Sequence, residues 1–221
     1  MVCISIGGNY LAGIFITFEG IDGAGKTTVI NKVKEKLQEK QYKVFTTKEP
    51  IGFRDYFNKD MPKKAVFLNF AIDRVYNVEK YIIPNLNKEY IVMCDRFCDS
   101  SIVYQSFLGG LDIKDVEAIN RFSSGGIEPV ITFLLDVNVN EDYYYNRLTE
   151  EDRKNRSIKQ YERLRNGYLK LASKHRHRIS IIDANQPLEK VTLQVLNKIQ
   201  KTINNISNSR RDSNESWSQI L

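Results

Sequence analysis

The sequence predicts a three-layer α/β fold in which helices flank a central parallel sheet of five strands. Five short runs rich in β-branched residues lack the alternation of a half-exposed strand, as expected of strands that are buried on both faces. Longer segments with apolar residues at helical spacing lie between these runs. Strands that alternate with helices are typical of βαβ units, whose right-handed crossovers cover both faces of one sheet.

The strands are predicted in chain order at Ile14–Phe18, Lys43–Thr46, Ile91–Cys94, Val130–Asp136 and Ile179–Asp183. Helices are predicted at Thr27–Lys40, Ala65–Ile83, Asp112–Ser123 and Ser157–Ser173. In the first helix, Val29, Val33 and Leu37 recur at helical spacing, with Lys and Glu on the opposite face. The second helix is apolar on most faces, so we expect it to be buried. We also expect it to stop at Pro84, because proline lacks the N–H that continues a helix.

Length and composition indicate one globular domain. The chain has 221 residues, and 33 basic against 27 acidic side chains give 33 − 27 = +6 at pH 7. Apolar residues at 42% and charged residues at 27% exclude a wholly disordered chain. No apolar run approaches the roughly 18 residues that a membrane helix needs, and the N-terminus lacks the pattern of a secretory signal. We expect an extension over 1–13, a domain over 14–206 and a polar tail over 207–221 that frays.

The three cysteines have no metal-type spacing. Cys94 lies within an apolar run, and an odd number of cysteines does not suggest a disulfide framework. The sequence therefore favours reduced thiols and a reducing compartment.

A phosphate-binding loop follows the first predicted strand. The run Gly20, Ile21, Asp22, Gly23, Ala24, Gly25, Lys26, Thr27 fits G-x-x-x-x-G-K-[ST] and, with Thr28, leads into a helix. The glycines let backbone N–H groups surround phosphate oxygens at the positive end of the helix. We expect Lys26 to bridge the β- and γ-phosphates of a nucleotide and Thr27 to bind Mg²⁺. This loop predicts a P-loop NTPase fold and a phosphoryl donor, but GTPases, ATPases and small-molecule kinases share it.

The acceptor must be inferred from the other polar clusters, which are expected near the carboxyl ends of the strands, where open α/β sheets bind ligands. Their members are Lys48, Glu49 and Arg54, then Phe70 and Arg74, then Asp95, Arg96, Ser100, Ser101, Tyr104 and Gln105, and finally Arg147, Arg153 and Arg156. The Asn-Lys-x-Asp run with which Ras-type GTPases bind guanine is absent from the sequence.

Taken in order, these motifs resemble the bacterial thymidylate kinases. Within them they resemble the subgroup whose phosphate loop has no basic residue besides its lysine and whose lid supplies arginines. The matching stretches are Phe15–Val33, Phe45–Pro50, Phe67–Arg74, Pro84–Gln105, Pro129–Asp136, Tyr161–Ala172 and Asp183–Glu189. The resemblance implies transfer of the γ-phosphoryl group of ATP to dTMP with Mg²⁺, in the dTTP synthesis pathway. It also implies a lid over about residues 143–157, a cytoplasmic homodimer, and no nucleic-acid or membrane partner.

The resemblance further implies how base and sugar are bound. Phe70 would stack on the thymine ring, while Arg74 would donate to its O4. Cytosine carries an amino group at that position, which would face Arg74 donor to donor. Gln105 would pair with N3–H and a carbonyl of the same base edge. Tyr104 would crowd the sugar 2′ position, and Asp22 would lie near the 3′-hydroxyl.

The phosphate and metal contacts are implied in the same way. The expected acceptor-site residues here are Lys48, Glu49, Arg54, Arg96, Ser100 and Ser101. Mg²⁺ would be held by Thr27 and Asp95. Catalysis would depend on Lys26, Asp95, Arg96, Arg147 and Arg153.

Three positions depart from the family pattern. Ile51 stands where a glycine is usual, Val130 replaces an Asp, and Lys48 replaces an Arg, so that a bidentate fork becomes a point charge. Two alternatives therefore stay open: a kinase for another pyrimidine nucleotide, and a P-loop binding protein with weak or lost turnover. A third, nucleic-acid binding, depends only on the pI near 9.1 and would require a continuous basic stripe.

Overall fold

The computed structural model describes residues 5–6, 9–10, 12–52, 60–139 and 142–218. Its strands are β1 Ser5–Ile6, β2 Asn9–Tyr10, β3 Ile14–Glu19, β4 Val44–Lys48, β5 Ile91–Asp95, β6 Ile131–Asp136 and β7 Ile179–Asp183. β1 and β2 pair antiparallel, apart from the rest. The other five form one parallel sheet in the order β4–β5–β3–β6–β7. The predicted five-stranded parallel sheet is confirmed.

Helices cover the sheet on both faces. They are α1 Lys26–Glu39, α2 Lys63–Asn77, α3 Ile83–Asn87, α4 Cys98–Ser101, α5 Ile113–Ser123, α6 Asp142–Arg147, α7 Glu150–Asn155, α8 Ile158–Lys174 and α9 Leu188–Ser218. Two π-helical segments, Val78–Ile82 and Ile102–Leu108, continue α2 and α4. Local capping explains several boundaries, because Asp112 caps α5 and Thr149 and Ser157 form capping boxes at α7 and α8.

One expected helix end is wrong. The long helix does not stop at Pro84, because a π-helical turn leads into α3 and puts Pro84 in the first turn of that helix. A first-turn residue needs no N–H for the helical ladder, so proline is tolerated there. The tail that is expected to fray from Ser207 begins within α9, which continues to Ser218, and its fraying stays a prediction. No glycine or proline follows Pro187, so no strong breaker ends α9 earlier.

The centre of the sheet is β3, whose side chains pack on both faces. Phe15 points to one face and packs edge-on against Phe97, with ring centroids 5.0 Å apart. Ile16 and Phe18 point to the other face and join a cluster that includes Val33 of α1. Because helices cover both faces, ligands reach the sheet at the carboxyl ends of its strands. Among the described residues, no helix is long and apolar enough to cross a membrane.

The turn that leads into β3 depends on a close backbone approach at Gly13. Its N–H donates to the carbonyl of Leu86 at 2.8 Å, and a Cβ added there would lie 2.5 Å from the carbonyl oxygen of Tyr90. Gly13→Ala should therefore lower the free energy of unfolding by about 2 kcal/mol, measured by urea denaturation. Gly52→Ala is the matched control, since no described atom lies within 4 Å of its added Cβ. Equal stability of the two variants would contradict this packing.

Candidate active site

The loop between β3 and α1 has the conformation that its glycines permit. Gly20, Gly23 and Gly25 all have positive φ, and a Cβ at Gly20 would lie 2.7 Å from the carbonyl oxygen of Leu135. The Nζ of Lys26 turns back into the loop and donates to the carbonyls of Gly20 and Ile21 at 3.1 and 2.9 Å. Burial, with a smaller effect of Arg96, lowers the pKa of Lys26 to about 8. The predicted strand–loop–helix setting is confirmed.

Two oxygen ligands meet where α1 begins and β5 ends. The parallel register puts Phe18 of β3 opposite Asp95 of β5, so the two strands end side by side. The hydroxyl of Thr27 donates to Oδ2 of Asp95 at 2.7 Å. A hydroxyl and a carboxylate fit Mg²⁺, which takes few protein ligands and completes its shell with phosphate oxygens and water. The described part of the chain has no cluster of three His, Cys, Asp or Glu that could hold a metal.

Asp22 joins the phosphate loop to the predicted acceptor residues. Its carboxylate accepts from Nη2 of Arg96 at 2.5 Å, from Nη1 of Arg156 at 3.1 Å and from the hydroxyl of Tyr104 at 3.2 Å. Both guanidinium carbons lie 5.1 Å from the centre of the Tyr104 ring. Burial alone would raise the pKa of Asp22, but Arg96, Lys26 and Arg156 together lower it below its usual value. Asp22 is therefore ionised and pairs with two arginines.

Arg74 lies in the interior, so its ion pair is not a surface salt bridge. Its side chain is 1% exposed and donates from Nε to Oε2 of Glu49 at 3.0 Å and from Nη2 to the Ser101 hydroxyl at 2.9 Å. Nη1 donates to the side-chain oxygen of Asn120 at 2.5 Å. Burial raises the pKa of Glu49, although Arg74 opposes this shift. Glu49, one of the expected acceptor-site residues, thus forms a buried ion pair with Arg74.

The other predicted base-binding residues lie in half-buried positions on neighbouring elements. Phe70 is half-buried on α2, one helical turn before Arg74. Gln105 is half-buried on the π-helical segment that also carries Tyr104. The side-chain amide of Gln105 forms no hydrogen bond with the part of the chain that the structure describes, so its donor and acceptor are both open to a ligand.

The lid arginines separate into different environments. Arg153 donates to the Leu148 carbonyl at 2.9 Å, and its guanidinium lies 4.9 Å from the Tyr145 ring. Arg153 is therefore bound within the lid, and its expected catalytic role stays a prediction. Arg153 lies within α7, whereas Arg156 follows the helix in extended backbone and turns inward. Arg147 donates to the Ala184 carbonyl at 3.4 Å, beside Gly25.

Two further residues, Lys48 and Arg54, are predicted to bind the acceptor phosphate. Lys48 is exposed at the end of β4, in register with Asp95. Arg54 lies outside the described residues.

Sequence reasoning missed the role of Asp73. Its buried carboxylate accepts from the backbone N–H of Ile51 at 2.8 Å and of Gly52 at 3.2 Å. This contact fastens the segment after Pro50 to α2 through backbone groups, so the usual glycine at position 51 is not needed for it. The only signal in the sequence was an acidic residue next to Arg74 on an otherwise apolar helix.

The residues that follow β7 line a cavity together with the phosphate loop, and they were not among the predicted site residues. A cavity of about 270 Å³ lies beside the phosphate loop. It is lined by Ala24, Gly25, Thr28, Val29, Arg147, Ala184, Asn185, Gln186, Pro187, Leu188 and Val191. Its position at the start of α1 suits the base and sugar of a nucleotide whose phosphates lie on the loop. The sequence offered no motif for residues 184–187 beyond their match to the family.

Comparisons with known proteins agree with this geometry. The sequence model of the family described as thymidylate kinase matches residues 18–195. A thymidylate kinase of Acholeplasma laidlawii is 34% identical over 204 residues, which cover 86% of this chain and 100% of that protein. One from Bacillus cereus is 34% identical over 209 residues, covering 86% and 98%. The crystal structure of thymidylate kinase from Ehrlichia chaffeensis superposes with a TM-score of 0.69 at 31% identity, covering 85% and 99%.

Proposed function

The chain belongs to the thymidylate kinase family, an enzyme family that phosphorylates dTMP with ATP, and we propose that its donor and acceptor sites meet at Asp22. The observation that supports this arrangement is the set of hydrogen bonds from Arg96, Tyr104 and Arg156 to the Asp22 carboxylate. A residue of the donor loop thus contacts residues of the acceptor cluster and of the lid. The two nucleotides would bind on either side of this carboxylate.

In the proposed reaction an oxygen of the dTMP phosphate attacks the γ-phosphorus of ATP. The new O–P bond forms as the bond between the γ-phosphorus and the β,γ-bridging oxygen breaks, which yields dTDP and ADP. The attacking phosphate is already ionised near pH 7, so no general base is required. Catalysis is then positioning and charge neutralisation, for which the cationic groups at the loop are Lys26, Arg96, Arg147 and Arg156.

The cofactor proposal is that Thr27 and Asp95 hold Mg²⁺. Their side-chain oxygens are already adjacent, with Oγ1 and Oδ2 2.7 Å apart. Mg²⁺ supplies charge neutralisation at the β- and γ-phosphates when it is bound.

For the acceptor, the proposed ligands combine base and phosphate recognition. Arg74 would donate to thymine O4, since one hydrogen of Nη1 is left after its protein bonds, and Gln105 and Phe70 would bind the base edge and face. Lys48, Arg54 and Arg96 would hold the phosphate, with Ser100 supporting Arg96 at 3.2 Å. Tyr104 would border the sugar beside Asp22. Ser101 and Glu49 would act by holding Arg74 in place.

An exposed apolar stripe supports the further proposal of a homodimer. Leu68, Ile72 and Tyr76 recur every four residues on α2 and are 48%, 55% and 43% exposed. Phe122 of the neighbouring α5 is 85% exposed. A second copy of the chain, meeting the first through α2 and α5, would bury this stripe. The free thiols of Cys94 and Cys98 support the proposal of a reducing, cytoplasmic location.

The acceptor assignment is tested by a substrate panel. With ATP and Mg²⁺, we expect phosphorylation of dTMP, and at least about 100-fold lower kcat/KM for dCMP, because its amino group would face Arg74 donor to donor. The panel includes dUMP, AMP and GMP, and ADP release is followed together with formation of each diphosphate. No preference for dTMP would overturn the assignment.

The lid proposal concerns Arg156, which we expect to leave Asp22 and bind the transferring phosphoryl group. Arg156→Ala should lower kcat by about 100-fold, because one charged donor to the transition state is lost. Lys154→Ala is the matched control on the same lid, since its side chain is 77% exposed and its ammonium lies 3.7 Å from Glu150. Steady-state kinetics with dTMP compares the two. A kcat of Arg156→Ala equal to that of the control would contradict the proposal.

A further inference from the structure

Glu19, the last residue of β3, lies buried beneath the phosphate loop and has no role in the mechanism so far. It is 1% exposed. Oε1 accepts from the backbone N–H groups of Phe97 and Ser100 at 2.8 and 3.4 Å. Oε2 accepts from the hydroxyls of Ser100 and Tyr168 at 2.6 and 3.2 Å. A buried carboxylate thus binds two backbone and two side-chain donors at the carboxyl end of the central strand.

The same two hydroxyls also hold the guanidinium of Arg96. Its Nη1 donates to the Ser100 hydroxyl at 3.2 Å and to the Tyr168 hydroxyl at 3.3 Å, while the two hydroxyl oxygens are 2.8 Å apart. Each hydroxyl has a single hydrogen. When Ser100 donates its hydrogen to Glu19, and Tyr168 donates to Glu19 or to the Ser100 oxygen, both hydroxyl oxygens keep lone pairs for Arg96. An ionised Glu19 therefore sets the orientation in which Ser100 and Tyr168 accept from Arg96.

We propose that Glu19 is a positioning residue for phosphoryl transfer, which acts through Ser100 and Tyr168 to aim the Arg96 guanidinium at the acceptor phosphate. The inference rests on the proposed role of Arg96. Nη1 also donates to the Gly20 carbonyl at 3.0 Å and Nη2 pairs with Asp22, so the carboxylates of Glu19 and Asp22 determine the plane of the guanidinium together with that carbonyl. A displacement of about 1 Å in a group that positions the substrate can cost 100-fold in rate, so this indirect contact affects kcat.

The charge of Glu19 is sensitive to pH in the physiological range. Burial raises its pKa to about 7, helped by the Asp99 carboxylate and opposed by the Ser100 hydrogen bond and by Arg96. The titratable groups that face it from the surrounding elements are Asp99, Arg96, Tyr168, Lys26, Arg74, Arg178, Cys94 and Cys98. Because its pKa is raised, the orienting, ionised form predominates above about pH 7 and is lost as the pH falls through that value.

The test uses Glu19→Gln and Tyr168→Phe in the full chain. A Gln amide must donate to one of the two hydroxyls and so turns that hydrogen toward Arg96. We expect Glu19→Gln to lower kcat with dTMP by about 10- to 100-fold with KM for ATP unchanged. In the wild type we expect kcat with the same substrates to fall as the pH drops below about 7, and we expect this acid limb to be absent from Glu19→Gln. Tyr168→Phe should lower kcat by about 3- to 10-fold, and the two effects should not add in the double variant.

The matched control is Thr17→Val on the same strand. Thr17 is fully buried, and within the described part of the chain its hydroxyl bonds only to Thr132, at 2.7 Å, so its loss should lower the Tm and leave kcat unchanged. If Glu19→Gln retains the wild-type kcat and acid limb, the inference is wrong. If that variant does not fold, an unchanged kcat in Tyr168→Phe overturns it instead. A wild type that fails to phosphorylate dTMP would refute the proposed function itself, whereas an active wild type with unaffected variants would refute only the role of Glu19.

Discussion

The site depends on the parallel pairing of β3 with β5. That register puts Phe18 opposite Asp95, and the pairing continues one step further through a hydrogen bond from the Arg96 N–H to the Phe18 carbonyl at 2.9 Å. The phosphate loop and the first acceptor residue therefore leave the sheet side by side. A shift of register by one residue would separate Thr27 from Asp95 and Arg96 from the Gly20 carbonyl.

Around that edge, the cations are held by carboxylates of unequal exposure. Arg74 and Glu49 form an ion pair that is almost completely buried, supported by Ser101 and Asn120, which keeps one guanidinium fixed in the interior. Asp22 and its two arginines are more accessible, with side-chain exposures of 17–28%. The buried pair suits recognition of an uncharged base, and the accessible group suits binding of phosphates that arrive and leave.

The sequence predicted the parts of the site that follow from local pattern. The strand–loop–helix around Lys26 and the carboxylate at the end of β5 each need only the neighbouring residues and the parallel sheet. The hydroxyl of Tyr168 could not be predicted in this way, because it meets Glu19 across 149 residues of sequence. The choice between Arg153 and Arg156 depends on where α7 ends, and element boundaries are the least certain feature of a sequence pattern. The role of Asp73 could not be predicted either, because it depends on the position of a loop whose sequence departs from the family pattern.

The central claim is that phosphoryl transfer occurs at this edge, with Lys26 as the cation of the donor loop. The most direct test is the rate of dTDP formation from saturating ATP and dTMP by Lys26→Ala, with thermal unfolding measured on the same sample. The account predicts a fall in kcat of about 1,000-fold or more with little change in Tm, because among the residues that the structure describes Lys26 bonds only to loop carbonyls. Near-normal turnover by the folded variant would contradict it.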